Sequence, residues 1–262
     1  MGDNLSIIIP AHNEEKRIGV TLEEYGKFFK EKKKSREIKD FEILVVLNAC
    51  KDRTIDIVKK FVRQYKEIKY LDFEQGGKGF AITEGFRDAL KREIEHIGFV
   101  DADLATKPEF FYDLVKNIKF YDGIIASRGL KSSIVKTSFM RKLTNKGFNF
   151  LVRSILFLPY KDTQCGAKLF RKEALSEVVD EIGITKWAYD IDLLYRLRKK
   201  GFRIREFPTV WQDREGSKLD LMKVPFQMFS SILRIRLLNS PFSFIMRAYD
   251  TLIPEKIKVY HR

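Results

Sequence analysis

Short runs of Ile, Val and Leu alternate with longer mixed stretches through the first half of the chain. The apolar runs are Leu5–Ile9, Phe41–Leu47, Ile68–Asp72, His96–Asp101 and Gly123–Ser127. Each has the length of a buried strand rather than of a helix. Stretches of helical period lie between them, near Glu14–Lys30, Asp52–Tyr65, Phe80–Ile94 and Pro108–Lys119. Pro108 suits a first helical turn, where its missing N–H removes no bond. Strands separated by helices predict an α/β fold: a Rossmann-type, mostly parallel sheet with right-handed crossovers. Ligands of such sheets bind beyond the carboxyl ends of the strands. Polar clusters fall at those ends, at Pro10–Glu15, Asn48–Thr54, Gln75–Gly79 and Asp101–Lys107. Four loops are therefore expected to converge on one crevice.

The second half is less regular. Ser133–Leu158 reads as a long basic helical segment, Asp162–Arg171 as a return to the sheet, Trp187–Lys200 as a helix and Arg203–Trp211 as extended chain. From Lys223 to Arg247 there are four bases and no acid. Phe226, Phe229, Leu233 and Leu237 recur there at helical spacing, with Gln227, Ser230 and Arg234 opposite. Two readings fit this amphipathic tail. Its apolar stripe packs on the domain, or it lies in a membrane interface with its bases toward the headgroups.

Charge sharpens the picture. The net charge of +14 is uneven: the 39 residues between Asp122 and Asp162 hold eight bases and no acid. A polyanionic ligand, a nucleic acid or an anionic membrane would each explain that excess. A nucleic-acid binder fits poorly with an acidic crevice at Glu14, Asp101 and Asp103, so no nucleic-acid partner is expected. No uncharged stretch exceeds ten residues, against the roughly 20 that a membrane span needs. The chain opens on Met1-Gly2-Asp3-Asn4 and enters a strand at once, so no secretory leader is expected. Cys50 and Cys165 cannot form a disulfide framework and suit a reducing compartment. His12, His96 and His261 lack zinc-ligand spacing.

Asp101-Ala102-Asp103 closes the fourth apolar run. Alternation along a strand puts residues i and i+2 on one side. Two carboxylates there can hold a divalent cation through oxygen, with a diphosphate as its natural third party. The plainer alternative is a pair of loop or helix-capping acids.

Several motifs together resemble the family 2 glycosyltransferases of GT-A fold. Ile8-Ile9-Pro10-Ala11-His12-Asn13-Glu14-Glu15 follows the first strand, Gly76-Gly77-Lys78-Gly79 precedes the third helix, and Asp101-Ala102-Asp103 comes about twenty residues on. Asp162-Thr163-Gln164-Cys165-Gly166-Ala167-Lys168-Leu169-Phe170 and Tyr189-Asp190-Ile191-Asp192-Leu193-Leu194 are narrower, with Trp211 to Leu219 after them. These resemble the dolichyl-phosphate glucosyltransferase branch, related to the dolichyl-phosphate mannose synthases. The resemblance runs from Leu5 to about Leu219 and divides the chain into a GT-A catalytic domain at 1–222 and a basic segment at 223–262. Within the first, 1–128 would hold the nucleotide-sugar donor and 129–222 the acceptor.

The resemblance implies roles residue by residue. Pro10, Asn13 and Glu14 would line the nucleoside pocket, and Gly77 and Lys78 would approach the phosphates. Asp103, with Asp101, would hold Mg²⁺ or Mn²⁺. Arg214, Ser217 and Lys218 would share the leaving charge from a loop. Arg128, Arg141 and Gln164 would grip an acceptor phosphate, and Asp190 and Asp192 would orient a cation or the sugar. The sequence departs from the pattern at Leu47-Asn48, where many relatives carry two acids. Asn48 offers both donor and acceptor to a uracil edge in their place.

The implied reaction is transfer of a hexose, glucose from UDP-glucose, to dolichyl or polyprenyl phosphate by an enzyme peripheral to the cytoplasmic face of a membrane. A phosphate monoester with a second pKa of about 6 is already a nucleophile near neutrality, whereas a sugar hydroxyl needs a base. A soluble family 2 enzyme acting on a hydroxyl, with Asp190 or Asp192 as base, is one alternative. A non-catalytic nucleotide-sugar or membrane-surface binding protein is another. Oligomeric state is not legible.

Overall fold

The computed structural model describes residues 4–183, 188–212, 223–244 and Ala248, without the side chains of Phe139, Arg141 and residues 223–228. Strands β1 (Asn4–Ala11), β2 (Asp40–Asn48), β3 (Ile68–Phe73), β4 (His96–Val100) and β5 (Gly123–Ser127) alternate with helices α1 (Ile18–Lys34), α2 (Thr54–Gln64), α3 (Lys78–Leu90) and α4 (Pro108–Asn117). This is the alternation expected from the apolar runs. The second half holds β6 (Ile134–Lys136), α5 (Phe139–Leu156), β7 (Ala167–Arg171), α6 (Lys172–Ser176), α7 (Tyr189–Lys199), β8 (Ile204–Pro208), β9 (Val210–Gln212) and α8 (Lys223–Leu238).

Seven strands form one sheet in the order β3-β2-β1-β4-β7-β5-β8. All adjacent pairs are parallel except those of β7, which runs antiparallel to β4 and β5. The return to the sheet expected at Asp162–Arg171 is thus a reversed strand. Strands β6 and β9 pair separately. Alternation along β1 sorts the core: Leu5, Ile7 and Ile9 face a cluster with α1 and α4, while Ile8 faces one with α3, α6 and α7. The chain runs outward from β1 to β3 and then returns to place β4 on the other side of β1. That reversal opens a crevice at the carboxyl ends of β1 and β4, where ligands of such sheets sit.

The C-terminal helix presents a different face from the one its hydropathy suggests. Ser231, Ile232, Arg234 and Ile235 are buried, and Ile232 and Ile235 join the cluster holding Val152 and Leu156 of α5. Phe229 and Leu233 of the expected stripe are 40% and 42% exposed. Arg234, expected on the outer face, lies inside. Phe226 and Gln227 belong to the side chains outside the description.

Candidate active site

The loops at the crevice are stitched before any ligand arrives. Asn13 takes the left-handed backbone region (φ 53°), which Asn tolerates better than most residues. Its Oδ1 accepts from the Lys51 N–H at 2.7 Å. The Glu14 N–H donates to Thr54 Oγ1, and the Glu15 N–H to Asp52 Oδ2. From α1, the Thr21 hydroxyl donates to the Ala102 carbonyl at 2.7 Å and the Tyr25 hydroxyl to that of Thr106 at 2.8 Å. These bonds hold the loop of the acidic pair against a rigid helix.

The resulting crevice of about 210 Å³ is lined by Pro10, His12, Glu14, Asn48, Lys78 and Asp101–Asp103. Asp103 Oδ1 accepts from the Ala105 N–H at 2.9 Å. Burial, then the neighbouring Asp101 charge, raises the Asp103 carboxyl above the usual range. Lys78 Nζ lies 2.5 Å from Asp101 Oδ1, so the glycine turn and the acidic pair meet directly. Glycine is required at several points around them. Gly77 has φ 135°. A Cβ on Gly79 would come within 2.6 Å of the Tyr189 ring, and one on Gly166 within 1.8 Å of Asp101 Oδ2. Gly166 also accepts the Asp101 N–H through its carbonyl. The Gln-Cys-Gly motif therefore serves the Asp pair from across the sheet.

Glu14 is held by a fork from Arg17, at 2.7 and 2.9 Å. Burial raises its carboxyl, Arg17 opposes that, and Asp103 and Asp101 add to it. Asn48 lines the crevice as expected. Its side chain is already engaged at both ends, donating to the Ala11 carbonyl at 2.9 Å and accepting from the Gly77 N–H at 3.0 Å. It is 2% exposed. An amide pinned in this way braces β1 against the glycine turn. His12, unassigned from sequence, also lines the crevice, with Nδ1 2.7 Å from the Asn48 carbonyl. Its place inside the Pro10–Glu15 cluster was the available signal.

Arg128 does follow β5, but its Nε and Nη2 fork onto Asp162 at 2.6 and 3.0 Å, and its own N–H donates to the same carboxylate. Its guanidinium lies 5.1 Å from the Trp211 ring centre. Two of its five guanidinium N–H groups are thus committed to a buried pair. Gln164 sits beside this pair, its N–H donating to Asp162 Oδ1. The Arg141 side chain, Arg214, Ser217 and Lys218 lie outside the described residues.

Neither acid of α7 is free. Asp192 accepts from the Gly183 N–H at 2.7 Å and Arg196 Nε at 2.9 Å, and is 2% exposed. It braces the start of its helix and orients Arg196. Asp190 accepts from Lys168 Nζ at 2.6 Å.

Asp101 and Asp103 present hard oxygens of the kind Mg²⁺ and Mn²⁺ prefer. Among the described residues no group of three or more acids, histidines and cysteines is arranged to hold a metal ion by itself. The pair can therefore supply only part of an oxygen shell, which suits an ion completed by substrate phosphates.

The architecture and the acidic crevice together match a known sequence pattern: the profile of glycosyl transferase family 2 covers residues 6–179. The chain belongs to that family. Family 2 relatives include the dolichyl-phosphate beta-glucosyltransferase of Dictyostelium discoideum, 34% identical over 245 residues, covering 88% of this chain and 73% of that protein. The human dolichyl-phosphate beta-glucosyltransferase is 33% identical over 252 residues, covering 89% and 75%. This family 2 chain is accordingly a glycosyltransferase. Its fold is shared with glucosyl-3-phosphoglycerate synthase from Mycobacterium tuberculosis, solved with Mn²⁺, UDP and phosphoglyceric acid (TM-score 0.63, 16% identity, 90% of this chain and 78% of that one). It is shared also with a mannosyltransferase from Pyrobaculum calidifontis solved with GDP-Man and Mn²⁺ (TM-score 0.57, 17% identity, 94% and 65%).

Proposed function

We propose that this glycosyltransferase moves glucose from UDP-glucose to dolichyl or polyprenyl phosphate with inversion, at the cytoplasmic surface of a membrane. The names of its relatives support the lipid phosphate and the sugar. One observation carries the choice of acceptor: Asp190 and Asp192 are both engaged, by Lys168 and by Arg196 with Gly183. A hydroxyl nucleophile needs a free base, worth about 10²–10⁴-fold in rate. A phosphate acceptor needs none. Its oxygen attacks the anomeric carbon in line as the bond to the β-phosphate breaks, and the nucleoside diphosphate leaves with the charge.

The chain's residues divide this work. Pro10, His12 and Glu14 border the donor, and Asn48 holds the glycine turn in place. Lys78 would donate to the diphosphate. A divalent cation held by Asp101 and Asp103 would neutralise charge developing on the leaving group.

The exposed face of α5 and α8 supports the membrane part of the reading. Met140, Leu143 and Phe150 of α5, then Phe157, are 55–71% exposed. Lys142, Lys146 and Arg153 stand among them, and Arg236 of α8 lies 5.2 Å from the Phe157 ring centre. Bulky apolar groups beside bases suit a headgroup boundary, where each base adds on the order of 1 kcal/mol. No helix among the described residues is long and apolar enough to cross a membrane.

The test is one incubation with a panel of radiolabelled nucleotide sugars, Mn²⁺ or Mg²⁺, and dolichyl phosphate in vesicles, followed by organic extraction. Label from UDP-glucose is expected in the organic phase only when dolichyl phosphate is present. Transfer to a free sugar hydroxyl, with none to the lipid, would contradict the reading.

A further inference from the structure

Lys168 has no role in the account above beyond engaging Asp190. It is the second residue of β7, paired with Phe99 of the neighbouring β4, and its side chain is fully buried. Its ammonium donates to Asp190 Oδ1 and to the Cys165 carbonyl, both at 2.6 Å. It lies 5.2 Å from the centre of the Phe99 ring, and the Lys78 ammonium lies 6.0 Å from the same ring. A buried ion pair is costly to desolvate, and an apolar pair of equal volume is often as stable. Stability alone therefore does not account for Lys168.

The surroundings supply another reason. The Lys78 and Lys168 ammoniums thus lie near one ring, and Asp190, bonded to the second, adds its negative charge beside the first. The Tyr189 ring packs against Gly79, so the first turns of α7 and α3 form one unit. The charges alternate through it: Asp101, Lys78, Asp190, Lys168.

We propose that Lys168 is a positioning residue: it fixes and neutralises Asp190, which with Asp101 steadies the Lys78 ammonium where the donor diphosphate arrives. The proposal rests on the crevice being a nucleotide-diphosphate site. Without Lys168, Asp190 becomes an uncompensated carboxylate that draws Lys78 away from the donor. Without the Asp190 charge, Lys78 keeps only its Asp101 partner.

The test compares Lys168→Met, Asp190→Asn and the double variant with the wild-type chain, by thermal midpoint and by calorimetric titration of UDP with Mn²⁺. Lys168→Met is expected to lower both midpoint and affinity. The double variant, with no buried charge left unpaired, is expected to recover the midpoint yet bind UDP about tenfold more weakly, the size of a typical coupling between contacting groups. Asp190→Asn keeps the shape and the Oδ1 acceptor and is expected to show the same loss of affinity, so the reading does not depend on the double variant folding. Wild-type affinity in Asp190→Asn, or in a stable double variant, would overturn the proposal and leave the pair a packing feature. A wild-type chain that binds neither UDP nor GDP would overturn the reading of the crevice itself.

Discussion

Replacing Asp103 by Asn is expected to lower glycosyl transfer by about 10²–10³-fold, the usual effect of removing one preorganised group that stabilises transition-state charge. The change is nearly isosteric, and the Asn Oδ1 can still accept from the Ala105 N–H as Asp103 does. What disappears is one of the two charges that can face a cation. The folded protein should not suffer. Burial and the Asp101 charge already hold the Asp103 carboxyl above its usual range. An acid so raised opposes folding when ionised, so at neutral pH its removal is expected to raise the thermal midpoint. Turnover with Mn²⁺ and a melting curve on the same sample check both signs. A variant that lost turnover and stability together would mark Asp103 as a structural acid.

Asp162→Asn is expected to destabilise the chain by about 3 kcal/mol at neutral pH, the low end of the cost of breaking a buried ion pair from one side. The side chains of Arg128 and Asp162 are 14% and 4% exposed. The variant would leave a largely buried guanidinium without its counter-ion. The pH dependence has a definite sign. Burial acts to raise the Asp162 carboxyl, but Arg128 outweighs it and the carboxyl ends below its usual value. The pair's contribution is therefore complete above the ordinary carboxylate pKa of about 4 and is lost as pH falls through the lower folded value. The stability gap between variant and wild type is expected to be widest near pH 7 and to narrow under strong acid. Denaturant titrations at neutral and acidic pH measure it. A gap that stayed constant across that range would show that the pair is not what holds this corner.

The first half of the fold was legible because each strand there is a short Ile- and Val-rich run with helical sequence on both sides. The crevice was legible for the same reason: polar clusters at strand ends have only one place to meet. Asn48 was not, because an amide serves a base edge and a backbone equally well and the sequence does not say which is in reach. The pairing of Arg128 was hidden as well, since its partner Asp162 is 34 residues away. Lys168 could have been flagged as a charge inside the apolar strand Ala167–Phe170. The tail misled through hydropathy. Phe229 and Leu233 of the apolar stripe are exposed, and Ile232 and Ile235 are the buried ones. A hydrophobic stripe alone does not distinguish a core from a membrane boundary.

The central claim is that the Asp101–Asp103 pair and Lys78 receive a nucleoside diphosphate together with a divalent cation. An anomalous difference map from a crystal soaked with UDP and Mn²⁺ tests it most directly. The expected map has a manganese peak about 2.1 Å from a carboxylate oxygen of the pair, the spacing of hard divalent ions to oxygen, with the Lys78 ammonium on the diphosphate. Manganese and UDP bound elsewhere, with Lys78 still seated on Asp101, would contradict the account.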